Sequence, residues 1–124
     1  MKKILCVDFD GVIHSYSSGW KGADNIPDLP VPGAMEWLIH TSQEPDYEVA
    51  IYSARSAQAG GIQAMKAWLA KHGMPGGNID DLSFPTQKPP AYLTIDDRAI
   101  CFRGTFPSVL ELDSFQSWIK GREL

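Results

Sequence analysis

Two aspartates flank a phenylalanine near the start of the chain, Asp8-Phe9-Asp10, and Gly11 follows at once. A second acidic pair, Asp96-Asp97, lies far downstream, with Ser53 and Lys88 between the two. Four carboxylates gathered on one rim repel each other unless a cation sits among them. Oxygen donors suit Mg²⁺ or Ca²⁺, and the sequence holds no His/Cys cluster with zinc spacing. Mg²⁺ commonly takes one or two carboxylates and completes its shell with water and substrate phosphate. Asp8 and Asp96 are the expected direct ligands, with the backbone carbonyl of Asp10 as a third.

A carboxylate can also attack phosphorus and form an acyl phosphate, which divides hydrolysis into two displacements. Positive charge must then surround the transferring oxygens. Mg²⁺ and Lys88 would supply it, while the Ser53 hydroxyl and nearby backbone N–H groups would hold a phosphate oxygen. A second carboxyl must protonate the leaving group and later activate water. Asp10 suits that role, because in an extended chain Phe9 points the other way and leaves both aspartates on one side.

These residues need a scaffold that brings them together. Ile4 to Phe9 is a continuous apolar run ended by acids, as in a strand buried on both faces of a parallel sheet. Glu48 to Ser53 predicts a second strand and Tyr92 to Ile95 another, with shorter candidates at Leu82–Phe84 and Ala99–Phe102. Helices are predicted from Pro32 to about Thr41, with Met35, Leu38 and Ile39 as the buried stripe. A second runs over Gly61–His72, with Ile62, Met65 and Leu69 on one face and Gly73 as the stop. A closing helix is expected over Pro107–Ile119. Strands alternating with helices imply a parallel sheet with right-handed crossovers, and such sheets bind ligands at the carboxyl ends of their strands. Asp8, Asp10, Ser53, Asp96 and Asp97 fall at those ends, and Lys88 lies in the loop before Tyr92.

The chain has 124 residues, a net charge of −4 and 44% hydrophobic residues. That composition fits one folded domain over 1–124 and excludes the disordered class. The acidic balance gives no bulk attraction to nucleic acid or anionic membranes. No apolar run approaches the roughly 20 residues of a membrane span, and Ile4 to Val7 is too short for a signal peptide. A cytoplasmic location without membrane partners is the expectation. Cys6 and Cys101 both sit in apolar runs and read as buried structural thiols.

In order and approximate spacing, the motifs resemble those of the haloacid dehalogenase superfamily of phosphohydrolases. They are Asp8-Phe9-Asp10-Gly11-Val12, then Ser53 after Val49 to Tyr52, then Lys88 in Gln87-Lys88-Pro89-Pro90-Ala91, then Ile95-Asp96-Asp97-Arg98. The resemblance implies an α/β, three-layer Rossmann-like domain with a mostly parallel central sheet and the strand Ile4–Phe9 at its centre. It implies Asp8 as nucleophile, Asp10 as general acid/base, Ser53 and Lys88 as phosphate binders, and Mg²⁺ held at Asp8, Asp10 and Asp96. Asp97 would stand behind these, orienting the metal site or Lys88. Dehalogenases of the superfamily lack an equivalent of Asp10, since a halide leaves without a proton, so Asp10 favours phosphate monoester hydrolysis. The gaps between motifs leave no room for a cap domain. An open site admits a small phosphorylated molecule or a macromolecular phosphate end.

Other residues are open to two readings. Arg55 and Arg98 lie beside motifs and could touch phosphate or form surface salt bridges. His14 lies near Asp10. The Gly- and Pro-punctuated 14–32 loop, with Tyr16, Trp20 and Lys21, reads as a substrate flap with an aromatic platform, or as a latch onto the core through Trp20. Trp37 and Trp68 read as packing residues. Two further classes compete with the phosphatase: a phospho-accepting receiver-like module and a catalytically silent phosphate-binding domain. The receiver requires an aspartate at a strand end near residue 50, where this sequence has Ser53.

Overall fold

The structure, a computed structural model, describes residues 1–118. Three strands form a parallel sheet: β1 (Lys3–Val7), β2 (Tyr47–Ile51) and β3 (Leu93–Ile95), in the order β2-β1-β3. The strand that carries Asp8 is therefore central, as expected. Register pairs Val7 with both Ile51 and Ile95, so all three strands end at one rim. Leu5, Val7, Val49 and Ile51 share a face by that register and join one core with Met35, Leu38, Met65, Trp68 and Leu69. The other face carries the small side chains Cys6 and Ala50, both buried.

Helix α1 spans Ala34–Ser42 and packs against β2. It starts after Gly33, whose φ of 86° is left-handed, so Pro32 lies outside the helix rather than in its first turn. Helix α2 spans Gly61–Lys71, close to the expected bounds, with Met65, Trp68 and Leu69 buried. Gly73 ends it at φ 99°. There Met74 N–H donates to Leu69 O at 3.0 Å, and Gly73 N–H to Ala70 O at 3.2 Å, which satisfies the last carbonyls. A short α3 (Gly76–Asp80) leads to Ser83. That residue makes one parallel bridge to Ala50, so the predicted Leu82–Phe84 strand is reduced to a bridge on the outer side of β2.

The last third departs further from expectation. β3 is one residue shorter than predicted, and Leu93 and Ile95 are exposed. Ala99–Phe102 forms no strand, and Cys101 is exposed, not buried; its run is apolar in composition but lies on the surface. Of the predicted Pro107–Ile119 helix only α4 (Val109–Asp113) forms, capped by Ser108 Oγ, which accepts from Glu111 N–H at 3.2 Å. Ile119 lies outside the described residues. No side chain of α4 is buried, so this helix draws no stabilisation from packing that would extend it. Trp118 nonetheless ties this stretch back, donating its indole N–H to Gly11 O at 2.7 Å. Among the described residues no helix is long and apolar enough to cross a membrane.

Candidate active site

The end of β1 sets the site. Asp8 N–H still bonds Ile95 O at 2.9 Å, and the chain then turns sharply, with Ile13 and His14 N–H both donating to Phe9 O at 2.9 Å. Phe9 is driven into the core, edge-on to Trp68, and the aspartates on either side of it are left at the rim. Their carboxylates go to different partners.

Asp8 joins Asp96 and Asp97. One carboxylate oxygen from each lies within 4.8 Å of the others, the one group of ligand-type side chains among the described residues able to share a cation. Burial, the charge of Asp96 and a hydrogen bond with Asp97 push the Asp8 carboxyl up to about 8, against a partial counter-pull from Phe9 N–H. Burial also raises Asp97. A divalent cation held there would relieve this repulsion, and an all-carboxylate donor set suits a hard ion such as Mg²⁺ or Ca²⁺. Asp97, expected behind the ligands, is thus itself in the group. The Asp10 carboxylate is not. The Asp97 carboxylate also fills the space where a Cβ on Gly11 would stand, and Gly11 has φ 88°. That position requires glycine on both counts.

Asp10 is held by Arg55. Arg55 Nε donates to Asp10 Oδ2 at 3.0 Å, and Nη2 donates to Oδ1 at 3.1 Å. Arg55 is fully buried, so the surface salt bridge that the sequence allowed is replaced by an internal clamp. The same guanidinium donates through Nη1 to Gly22 O at 2.7 Å and Ala23 O at 3.0 Å. It lies 4.8 Å from the centre of the Trp20 ring. Its own position is set by α2: Gly61 packs so closely on the Arg55 carbonyl that a side chain there would collide with it.

His14 supports Asp10 from the other side. Asp28 N–H donates to its Nε2 at 3.1 Å, which places the ring proton on Nδ1, 2.9 Å from Asp10 Oδ1. Asp28 in turn accepts from Ser18 N–H at 2.8 Å, and its carbonyl accepts from the Trp68 indole at 3.0 Å. Burial opposes the Asp28 charge, but the bonds from Ser18 and Ser17, with His14 beside them, together hold the carboxyl below its ordinary range. The 14–32 loop is closed at its base by Ser15 N–H to Leu29 O (2.9 Å) and Val31 N–H to Ile13 O (2.8 Å). The loop lines the cavity above Asp8 and Asp10 through Tyr16, Ser17, Ser18, Gly19 and Trp20.

Ser53 and Lys88 meet Asp8 across a small cavity of about 190 Å³, lined also by Cys6, Thr94 and Asp96. The Ser53 hydroxyl accepts from Arg55 N–H at 3.0 Å, and its proton faces the Met65 sulfur at 3.8 Å. A thioether is a weak acceptor, so that proton is available to a stronger one. Arg98 stays at the rim, where its N–H donates to Asp96 Oδ1 at 2.9 Å. Trp68 is a packing residue, whereas Trp37 is part-exposed over an apolar groove. The roles of Arg55 and Asp28 were not readable from the sequence, because both depend on backbone groups far away along the chain. Comparison with protein-family models finds no match, and neither curated proteins nor solved structures yield one.

Proposed function

We propose that the chain is a Mg²⁺-dependent phosphatase that hydrolyses phosphate monoesters through an aspartyl-phosphate on Asp8. The observation that carries this reading is the convergence of Asp8, Ser53, Lys88 and Asp96 on one small cavity, with Asp10 clamped beside it. The phosphoryl group would sit between the Lys88 ammonium and Ser53, whose hydroxyl proton turns from the Met65 sulfur to a phosphate oxygen. An Asp8 oxygen attacks phosphorus, and the bond to the leaving oxygen breaks as Asp10 gives that oxygen its proton. Asp10 then takes a proton from water, which attacks phosphorus, releases inorganic phosphate and restores the Asp8 carboxylate. Mg²⁺ held at Asp8, Asp96 and Asp97 would keep Asp8 ionised and offset charge on the phosphoryl oxygens.

The order of these motifs along the sheet rim supports membership of the haloacid dehalogenase superfamily. The parallel order with β1 in the centre is in keeping with its three-layer Rossmann-like arrangement. The substrate in this reading is a phosphorylated small molecule or a macromolecular phosphate end. A receiver-like module is disfavoured by Ser53 at the end of β2, where such a module needs its phospho-accepting aspartate.

The test is release of phosphate from p-nitrophenyl phosphate, with chelator and with Mg²⁺ restored, followed by acid quench with labelled substrate. Mg²⁺-dependent turnover is expected, with label on the wild type and none on Asp8→Asn. Full activity in metal-stripped protein, or label that persists on Asp8→Asn, would overturn the proposal.

A further inference from the structure

A second, larger cavity of about 820 Å³ opens beside the small one, and the two share Asp8, Ser53, Ala54 and Asp96. The small chamber contains Lys88 and, in the proposed reaction, takes the phosphoryl group. The large chamber contains Asp10, the proton donor, and so takes the leaving group. Its volume is in the range of sites that enclose a whole small ligand, roughly 300–1,000 Å³.

The lining of the large chamber says what that leaving group is. One side is aromatic, built from Tyr16 and Trp20. Trp20 is 44% exposed even though its ring lies over the buried Arg55 guanidinium. Tyr16 has φ 60°, the one non-glycine residue with positive φ among those described. A bulky side chain in that conformation is a strained one, of the kind found at ligand clamps. The strain is held by Gly19 N–H to Tyr16 O at 3.1 Å and by the bonds from Ser18 to Asp28. These bonds shape the backbone of the wall from within the loop, which lowers the ordering cost of binding. Beyond the acidic floor the rest of the lining is small and neutral, with Arg98 as its one cation. That surface suits a planar, uncharged group and offers little to a second phosphate or a polyanionic strand.

We propose that the substrate is a nucleoside monophosphate, bound with its phosphate in the small chamber and its base against the Tyr16–Trp20 wall. This rests on the phosphatase reading above and adds the leaving group to it. Ribose 5-phosphate presents the same sugar phosphate without the base.

The experiment compares kcat/KM for nucleoside 5′- and 3′-monophosphates with that for ribose 5-phosphate, all with Mg²⁺. One stacked base gives the nucleotide an advantage of roughly 5- to 150-fold. Trp20→Ala and Tyr16→Ala should each shrink that ratio toward one, and Trp20→Phe should retain most of it. Using the ratio cancels any common effect on Asp10 transmitted through Arg55. Equal efficiency on the two substrates, or a ratio unmoved by both alanine variants, would overturn the proposal. So would a 3′- or 5′-phosphorylated oligonucleotide outrunning the mononucleotide by the same margin, which would assign the chamber to nucleic-acid ends. Failure of the phosphatase reading looks different: no Mg²⁺-dependent phosphate release from any substrate, p-nitrophenyl phosphate included. Calorimetric titration of Asp8→Asn with Mg²⁺ present tests the wall without turnover. Tighter binding of the nucleotide than of ribose 5-phosphate is expected, and equal affinity counts against the wall.

Discussion

Replacing Asp8 with asparagine should stabilise the metal-free protein at alkaline pH. The Asp8 carboxyl is raised from 3.8 to about 8 by burial and by its acidic neighbours. Between those values the unfolded chain gives up the Asp8 proton while the native state keeps it, so stability falls as pH rises and levels off above about 8. Each pKa unit is worth about 1.4 kcal/mol, which sets the total at a few kcal/mol on the order of 5, shared among three interacting carboxylates. For a domain of this size that corresponds to roughly 10 °C or more in melting temperature. The assay is thermal unfolding by circular dichroism in chelator, from pH 4.5 to 8.5, for wild type and Asp8→Asn. Wild type should lose stability steadily across that range, and Asp8→Asn should lose much less. Added Mg²⁺ should raise the wild-type melting temperature at pH 8.5 and do little for the variant. Parallel pH profiles for the two proteins in chelator would refute the reasoning, because the repulsion at Asp8 would then not be stored in the fold.

Three further outcomes follow from named contacts. Arg55→Met strands the Asp10 carboxylate and the carbonyls of Gly22 and Ala23, so urea unfolding should show a loss of roughly 3–5 kcal/mol, which Arg55→Lys should not recover because an ammonium cannot fork. Gly11→Ala pushes the Asp97 carboxylate out of place, and calorimetry should record Mg²⁺ affinity weakened by roughly 10-fold or more; an unchanged affinity would remove Asp97 from the metal group. A thiol reagent should titrate Cys101 quickly in the native protein and Cys6 only after denaturation, since Cys6 is buried and burial pushes its thiol up.

Where local pattern and long-range packing agree, the sequence was readable. The apolar runs before Asp8 and Ser53 form β1 and β2, and the stripe Met65–Leu69 with Gly73 behind it forms α2 nearly to the residue. The same pattern misled from residue 99 onward. Val109, Leu110, Leu112 and Phe115 have the composition of a buried helix, yet all four are exposed and the helix stops at Asp113. Helical period needs a partner surface to become a helix, and period alone does not announce whether one exists. In the site, the residue types at the rim were legible, but their partition was not. Asp8 and Asp10 are chemically alike, and the positions of Arg55 and His14 send one to the acidic group and the other to a clamp. A buried arginine facing loop carbonyls leaves no mark in spacing, because its partners are backbone atoms that every residue type carries.

That choice of partner has a consequence for how the molecule can vary. Arg55 reads the path of the 22–25 segment through carbonyl oxygens and is indifferent to the side chains there. Ala23, Asp24 and Asn25 can therefore be exchanged without retuning Asp10, provided the chain keeps its course. A deletion of a single residue in the same stretch would pull the guanidinium away from Asp10. The clamp on Asp10 is thus coupled to the length of the 22–25 segment and decoupled from the side chains it carries, so those positions are free to vary while the guanidinium stays in place.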